Sequence, residues 1–296
     1  MPSSKRIETA TSRTAEWTCV TRASSYLERE EYYRSGDELA LLLIPAFVRV
    51  MLRLAFIRAI YHHLLAPKGL YEYVIARTRY IDAAFRQALS DRFDQIVLLG
   101  AGFDTRALRF RAELGSVKVY ELDAPFTQVA KIKRYSQSGL SVPPNVAFIA
   151  IDFDVDSLAA KLDEIGLHGD RRCLFILEGV LMYLQPKSAD TTLSTIGTFA
   201  GRGSRLVFDY AKSSVLRGEK NLYGETEVTR AVGRANEQWH FGIDPTQVAS
   251  YLSRFGFELR DHRNSEDLEK MYFQAPDGRL VGRINGTQCL ITAERS

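Results

Sequence analysis

From Phe93 onward the chain alternates short apolar runs with helix-length stretches, and this alternation restricts its fold more than any other feature. Ile96-Val97-Leu98-Leu99 is an uninterrupted apolar run stopped by Gly100. Such a run marks a strand covered on both faces, as in a parallel sheet, because a strand with one wet face would alternate. Further strand candidates follow at Val117–Glu121, Val146–Ile151, Cys173–Leu177 and Leu206–Phe208, with weaker ones at Phe257–Arg260 and Gln288–Thr292. Between them, Pro125–Ser136 and Ser157–Ile165 read as helices. Strand and helix repeated this often imply an α/β sheet with helices on both faces. The first ninety residues read as helical without strands, and no internal repeat or low-complexity linker divides the chain. We expect an N-terminal helical cap over residues 1–90 and a core over 91–296, integrated as one domain.

Composition narrows the functional classes. The 39 basic and 36 acidic residues nearly balance at +3, so nothing suggests the concentrated basic face of a nucleic-acid binder. Cys19, Cys173 and Cys289 form neither a CxxC pair nor a cluster with the five histidines. Neither a disulfide framework nor a metal site is expected. The opening Met-Pro-Ser-Ser-Lys-Arg-Ile-Glu lacks the apolar run of a signal peptide, which makes a cytoplasmic setting the expectation. Leu39–Leu65 is apolar enough to invite a membrane reading, yet Arg49, Arg53 and Arg58 interrupt it. Each charge costs about 2.5–3.5 kcal/mol at a membrane centre, and Pro45 breaks the segment. One or two helices packed on the protein are expected there, with membrane-surface contact as the lesser alternative.

Gly100-Ala101-Gly102 follows the first strand, and Phe103–Leu108 reads as a helix start with Asp104 or Thr105 as N-cap. Ligands of open α/β sheets bind beyond the carboxyl ends of strands, where glycine lets backbone approach closely. Acids follow in the right places. Val117–Asp123 ends in Glu121 and Asp123, about twenty residues past the glycines, where a carboxylate can accept from ribose hydroxyls; capping of the Pro125 helix is the alternative. Asp152, after the third run, can accept from an adenine amino group, with Phe153 over the ring, while Asp154 and Asp156 suit solvent or a helix cap. Glu178, after the fourth, can meet a cationic group of a cofactor, orient a substrate or be a buried structural acid. A dinucleotide is disfavoured: Thr105 stands where GxGxxG needs its third glycine, and Pro186 interrupts the Tyr183…Lys187 pair of a YxxxK motif.

Together these stretches resemble the leucine carboxyl methyltransferase family, especially its bacterial branch of S-adenosylmethionine-dependent methyltransferases, some of them polyketide-tailoring. The resemblance runs through Ser12-Arg13-Thr14-Ala15, Ala76–Asp82, Leu99–Arg106, Tyr120–Pro125, Asp152-Phe153, Glu178–Leu184 and Phe241–Pro245. It implies a Rossmann-like class I methyltransferase with a seven-stranded, mostly parallel sheet, and S-adenosyl-L-methionine as cofactor. It assigns Arg77 to the cofactor's carboxylate, Gly100 and Gly102 to the glycine loop, Asp123 to the ribose, Asp152 and Phe153 to the adenine, and Glu178 to a further cofactor contact. Phe153 departs from the leucine common in the family, which changes the adenine contact. Arg77 has support of its own, because helical spacing puts it with Val74, Ile81, Ala84, Phe85 and Ala88, and Arg79, Asp82 and Arg86 opposite. A guanidinium on an apolar face needs an anion, either that carboxylate or an internal Asp or Glu.

The expected reaction is O-methylation of a small, largely apolar molecule on a carboxylate or a hydroxyl. An ionised carboxylate needs no general base; a hydroxyl gains from one. Tyr183, Asp209, Tyr210 and His240 are the candidates for the acceptor pocket, with His240 first as a base. Methylation of a protein C-terminus, and a non-catalytic cofactor-binding or membrane-surface protein, are the alternatives.

Overall fold

The computed structural model describes residues 11–153, 155–167, 169–235 and 237–296. The opening octapeptide and Asp154 lie outside them. The apolar runs become strands β1 (Gln95–Leu99), β2 (Lys118–Asp123), β3 (Val146–Ala150), β4 (Cys173–Leu177) and β5 (Arg205–Lys212). The two-residue β6 (Gly242–Ile243), then β7 (Phe257–Arg263) and β8 (Gln288–Arg295), complete the set. They form one sheet in the order β3-β2-β1-β4-β5-β8-β7, with β6 pairing β5 off this path. The first five strands pair parallel, and β8 runs antiparallel between β5 and β7. Every residue of β1 and β4 is buried, as their uninterrupted apolar runs require. The strand β6 was not expected, since two residues carry no periodicity.

The strand order reverses between β1 and β4, which leaves a crevice at their carboxyl ends. Alternation along β1 divides the interior. Ile96 and Leu98 join a core with the cap residues Tyr71, Tyr73 and Phe85, whereas Val97 and Leu99 join a second core on the other face.

The cap comprises α1 (Arg13–Tyr26), α2 (Ala40–Leu43), α3 (Ala46–Leu52), α4 (Ala55–Ile60) and α5 (Leu70–Ser90). Ser12 caps α1 by accepting from the Ala15 amide, and extended Ile44 before Pro45 separates α2 from α3. The 39–65 stretch is therefore three short helices and a π-helical turn (Tyr61–Leu65), not one or two. Among the described residues no helix is long and apolar enough to cross a membrane. Beyond the cap, α6 (Arg106–Arg109) starts after Thr105, and α7 (Pro125–Gln137), α8 (Leu158–Glu164) and α9 (Pro186–Phe199) follow β2, β3 and β4. Pro186 opens α9, so Tyr183 and Lys187 share no helix.

Candidate active site

The glycine loop is built by left-handed backbone: Gly100 has φ +69° and Gly102 φ +48°. A Cβ on Gly100 would collide with Val180 Cγ2, so the β1 loop touches the β4 loop with no space for a side chain. Gly102 donates its amide to one oxygen of Asp123, and Ala124 donates to the other at 2.6 Å. Burial pushes the Asp123 carboxyl up from its ordinary value, against these two amides. The ends of three strands are thereby fastened around one cavity of about 580 Å³.

Arg77, Gly100, Gly102, Asp123, Asp152, Phe153 and Glu178 all line this cavity, and so do Tyr183 and His240. Asp209 and Tyr210 do not line it, which corrects their assignment to the acceptor pocket. Adjacent residues of a strand point to opposite faces, so β5 never offered both to one pocket. The fully buried Asp209 carboxylate accepts from Tyr73 Oη at 3.0 Å, Arg77 Nη1 at 2.8 Å and the Gly179 amide at 2.6 Å. Tyr210 belongs to the second core, its hydroxyl 2.9 Å from His262 Nε2.

Beneath the loop lies a continuous set of buried charges. Arg77 pairs with Asp209 and with Glu178 at 3.0 Å; Glu178 meets Arg106 at 2.7 Å. Arg106 also holds Asp104 and Asp82, and Asp82 meets Arg109 at 2.7 Å. Arg109 approaches Asp37 at 3.5 Å, and Asp37 holds Arg22 at 2.8 Å. Four guanidinium groups thus face five carboxylates, a formal charge of −1. Burial raises the Glu178 pKa, but Arg106, Arg77 and Arg22 outweigh it and bring the carboxyl down to about 2. The Arg77 Nε approaches Glu178 out of line and, though buried, has no hydrogen-bond acceptor. Asp82, placed opposite Arg77 on the helix, is buried as well, because α5 is covered on both sides.

The sequence places a helical cap over the site without singling out Thr18 or Glu237. Thr14, Ala15 and Thr18 of α1 line the cavity from above, and Glu237 closes on them. Its carboxylate accepts from the Arg13 amide at 3.1 Å, the Thr14 amide at 3.2 Å and the Thr14 hydroxyl. An acid at a helix N-terminus takes up amides that have no partner inside the helix. His240 stands exposed at the mouth, its amide donated to Met182 O at 2.7 Å.

The donor set suits S-adenosylmethionine: Asp123 and Asp152 at successive strand ends for ribose and adenine, and a buried floor with one surplus negative charge for a cationic ligand. The unsatisfied Arg77 Nε adds a donor that a carboxylate can take up. The sequence profile described as leucine carboxyl methyltransferase matches residues 17–197, more than half of the chain. The chain belongs to that family. A Mycolicibacterium smegmatis protein named "Putative S-adenosyl-L-methionine-dependent methyltransferase" is 30% identical over 225 residues, 74% of this chain and 73% of that one. A Mycobacterium avium protein of the same name is 30% identical over 186 residues, 62% of this chain and 60% of its own length.

Among solved structures, a methyltransferase from Thermobifida fusca, titled as putative, superposes with a TM-score of 0.61 at 16% identity, covering 96% of this chain and 98% of that one. A DUF574 family protein from Streptomyces avermitilis gives 0.60 at 13% identity, covering 98% and 100%. This leucine carboxyl methyltransferase family member is an S-adenosylmethionine-dependent methyltransferase with the Rossmann-like fold of its class.

Proposed function

We propose that the enzyme O-methylates a small, largely apolar molecule on a carboxylate, with the roofed cavity as the observation that carries the reading. Cofactor and acceptor must share about 580 Å³ beneath α1, a volume typical of small-molecule clefts. Leu98, Leu99, Ile151, Ile176, Val180 and Leu184 give the lining its apolar character. Glu237 and Thr14, both in the lining, are bonded to each other, an arrangement that suits a small molecule better than a peptide end.

S-adenosylmethionine supplies an electrophilic methyl group on a sulfonium sulfur. Asp123 and Asp152, with Phe153, hold its nucleoside end, and Arg77 and Glu178 hold its charged amino-acid end. The apolar wall and α1 exclude water and keep the acceptor in line, so positioning provides much of the acceleration.

The proton chemistry favours a carboxylate acceptor. Glu178, held at about 2, is a poor base. Burial pushes the Tyr183 phenol up, which keeps it protonated at neutral pH. A carboxylate acceptor, ionised near pH 4 and above, asks for no base at all. A hydroxyl acceptor would draw on His240 at the mouth. A panel of apolar acids, phenols and peptides carrying a free C-terminus, followed by mass spectrometry, separates the readings. We expect one added methyl on apolar acids, removed by mild alkali as an ester is. An alkali-stable product, or transfer confined to peptides, would overturn the proposal.

A further inference from the structure

The cap's outer surface inverts the usual partition of side chains. Phe47 is 69% exposed, Leu64 77% and Leu65 68%, and Val50, Met51 and Leu54 are exposed beside them. These side chains are not on a loose segment, because the inner side of the same helices is fastened. Tyr61 Oη lies 2.7 Å from Thr21 Oγ1, and Arg58 holds Glu28 at 3.0 Å and Leu52 O at 2.8 Å. On the neighbouring side, Arg134 of α7 donates to Leu43 O at 2.7 Å and Ser138 to Leu42 O at 3.2 Å. That helix adds exposed Phe126, Val129 and Ile132, three residues apart and so on one stripe. Phe126 stands between Ala124 and Thr127, both of which line the cavity, so the apolar face runs to the cavity's edge.

Charge decides what covers this face. Residues 39–65 and 124–138 contain no Asp or Glu. At the chain's average of 36 acids in 296 residues, about five would fall on these positions. Arg49, Arg53 and Lys133 are outside the buried set and have no acidic partner among the described residues. A face that is apolar and exclusively basic matches an anionic bilayer, where apolar side chains enter the acyl boundary and long cationic ones reach the headgroups. A symmetric pair of chains would instead bring like charges together over the same surface.

We propose that α3, α4, the π-helical turn and the outer stripe of α7 form a docking face for an anionic lipid membrane. The inference is independent of which acceptor the enzyme methylates. Flotation of the full chain with phosphatidylcholine vesicles, with and without a one-third share of phosphatidylglycerol, tests it. The protein is expected to float with the anionic vesicles, much less with the neutral ones, and to be released by high salt. The variant Phe47→Ser/Leu64→Ser/Leu65→Ser should lose at least roughly ten-fold in partitioning. Arg49→Glu/Arg53→Glu should lose the preference for anionic lipid. Unchanged melting and unchanged S-adenosylhomocysteine binding by calorimetry show that the variants are folded. Should one misfold, Phe47→Trp supplies a second reading, because brominated lipid should quench its added fluorescence. Absence of the native chain from the anionic vesicles, equal flotation of native and triple-serine chains, or unquenched added fluorescence in the Phe47→Trp variant would each overturn the proposal. So would a concentration-dependent dimer, abolished by the serines, from a chain that ignores vesicles.

Discussion

The floor of the site and the outside of the cap are opposites: one buries four arginines and five carboxylates, the other turns large apolar side chains to water. Each departs from the ordinary partition, and for different reasons. The floor is satisfied internally, each ion meeting a counter-ion, so it is rigid and intolerant of losing a member. The cap surface has no internal partner for its apolar groups and loses little if they change. A paired interior and an unpartnered exterior therefore make opposite predictions about mutation.

The largest effect is expected at Arg106, which holds Asp82, Asp104 and Glu178 together. Arg106→Met leaves Asp104 without a cation and takes one of two from Asp82 and from Glu178, and should cost about 3–5 kcal/mol, measured by urea unfolding. A loss under about 1 kcal/mol would show that the floor behaves like a surface network and would erase the contrast.

Next comes acid. Since the Glu178 carboxyl sits at about 2 rather than its ordinary 4.5, its stabilisation is complete above pH 4.5 and disappears as pH falls from there toward 2. Over that window the native protein should lose stability as pH falls, with a slope of at most roughly 1.4 kcal/mol per pH unit from this one group. Glu178→Gln should flatten that limb of the stability curve; an identical slope in both proteins would remove Glu178 from the account.

Asp123→Ala belongs to the ligand rather than to the floor. Losing its charge-assisted hydrogen bonds should weaken cofactor binding by about 1.5–3 kcal/mol, or roughly ten- to a hundred-fold, read by calorimetry on protein with an unchanged melting profile. Full affinity in the folded variant would move the ribose site elsewhere. The smallest effect is expected at the cap. Phe47→Ser and Leu64→Ser, already exposed, should alter stability in water by no more than about 0.5 kcal/mol. A larger fall in melting temperature would mean that these side chains pack against something after all.

Much of the sheet was legible because β1 and β4 are apolar runs that stop at Gly100 and Glu178, and the apolar-rich β2 and β3 on their flank end at or just before Asp123 and Asp152. The same terminal residues pointed to the cavity, since a strand end is where a parallel sheet presents groups to a ligand. Charged residues away from strand ends were not legible. Asp82 and Arg106 look solvated in sequence, and only the packing of α5 between cap and sheet reveals that they are buried together. Asp209 could have been reassigned from sequence alone. Flanked by apolar neighbours within a strand, and next to a tyrosine that must face the other way, it needs a buried cation, which Arg77 is. The clasp at Glu237 joins positions more than two hundred residues apart and carries no local pattern.

That clasp has a consequence for movement. Any lifting of α1 would have to break the hydrogen bonds from the Arg13 and Thr14 amides to Glu237. Arg22 and Thr21 hold the same helix to Asp37 and Tyr61, so the N-terminal turn at Glu237 is one of several fastenings that any ligand-linked movement of α1 would have to share, and it can be altered without touching the groups that line the floor.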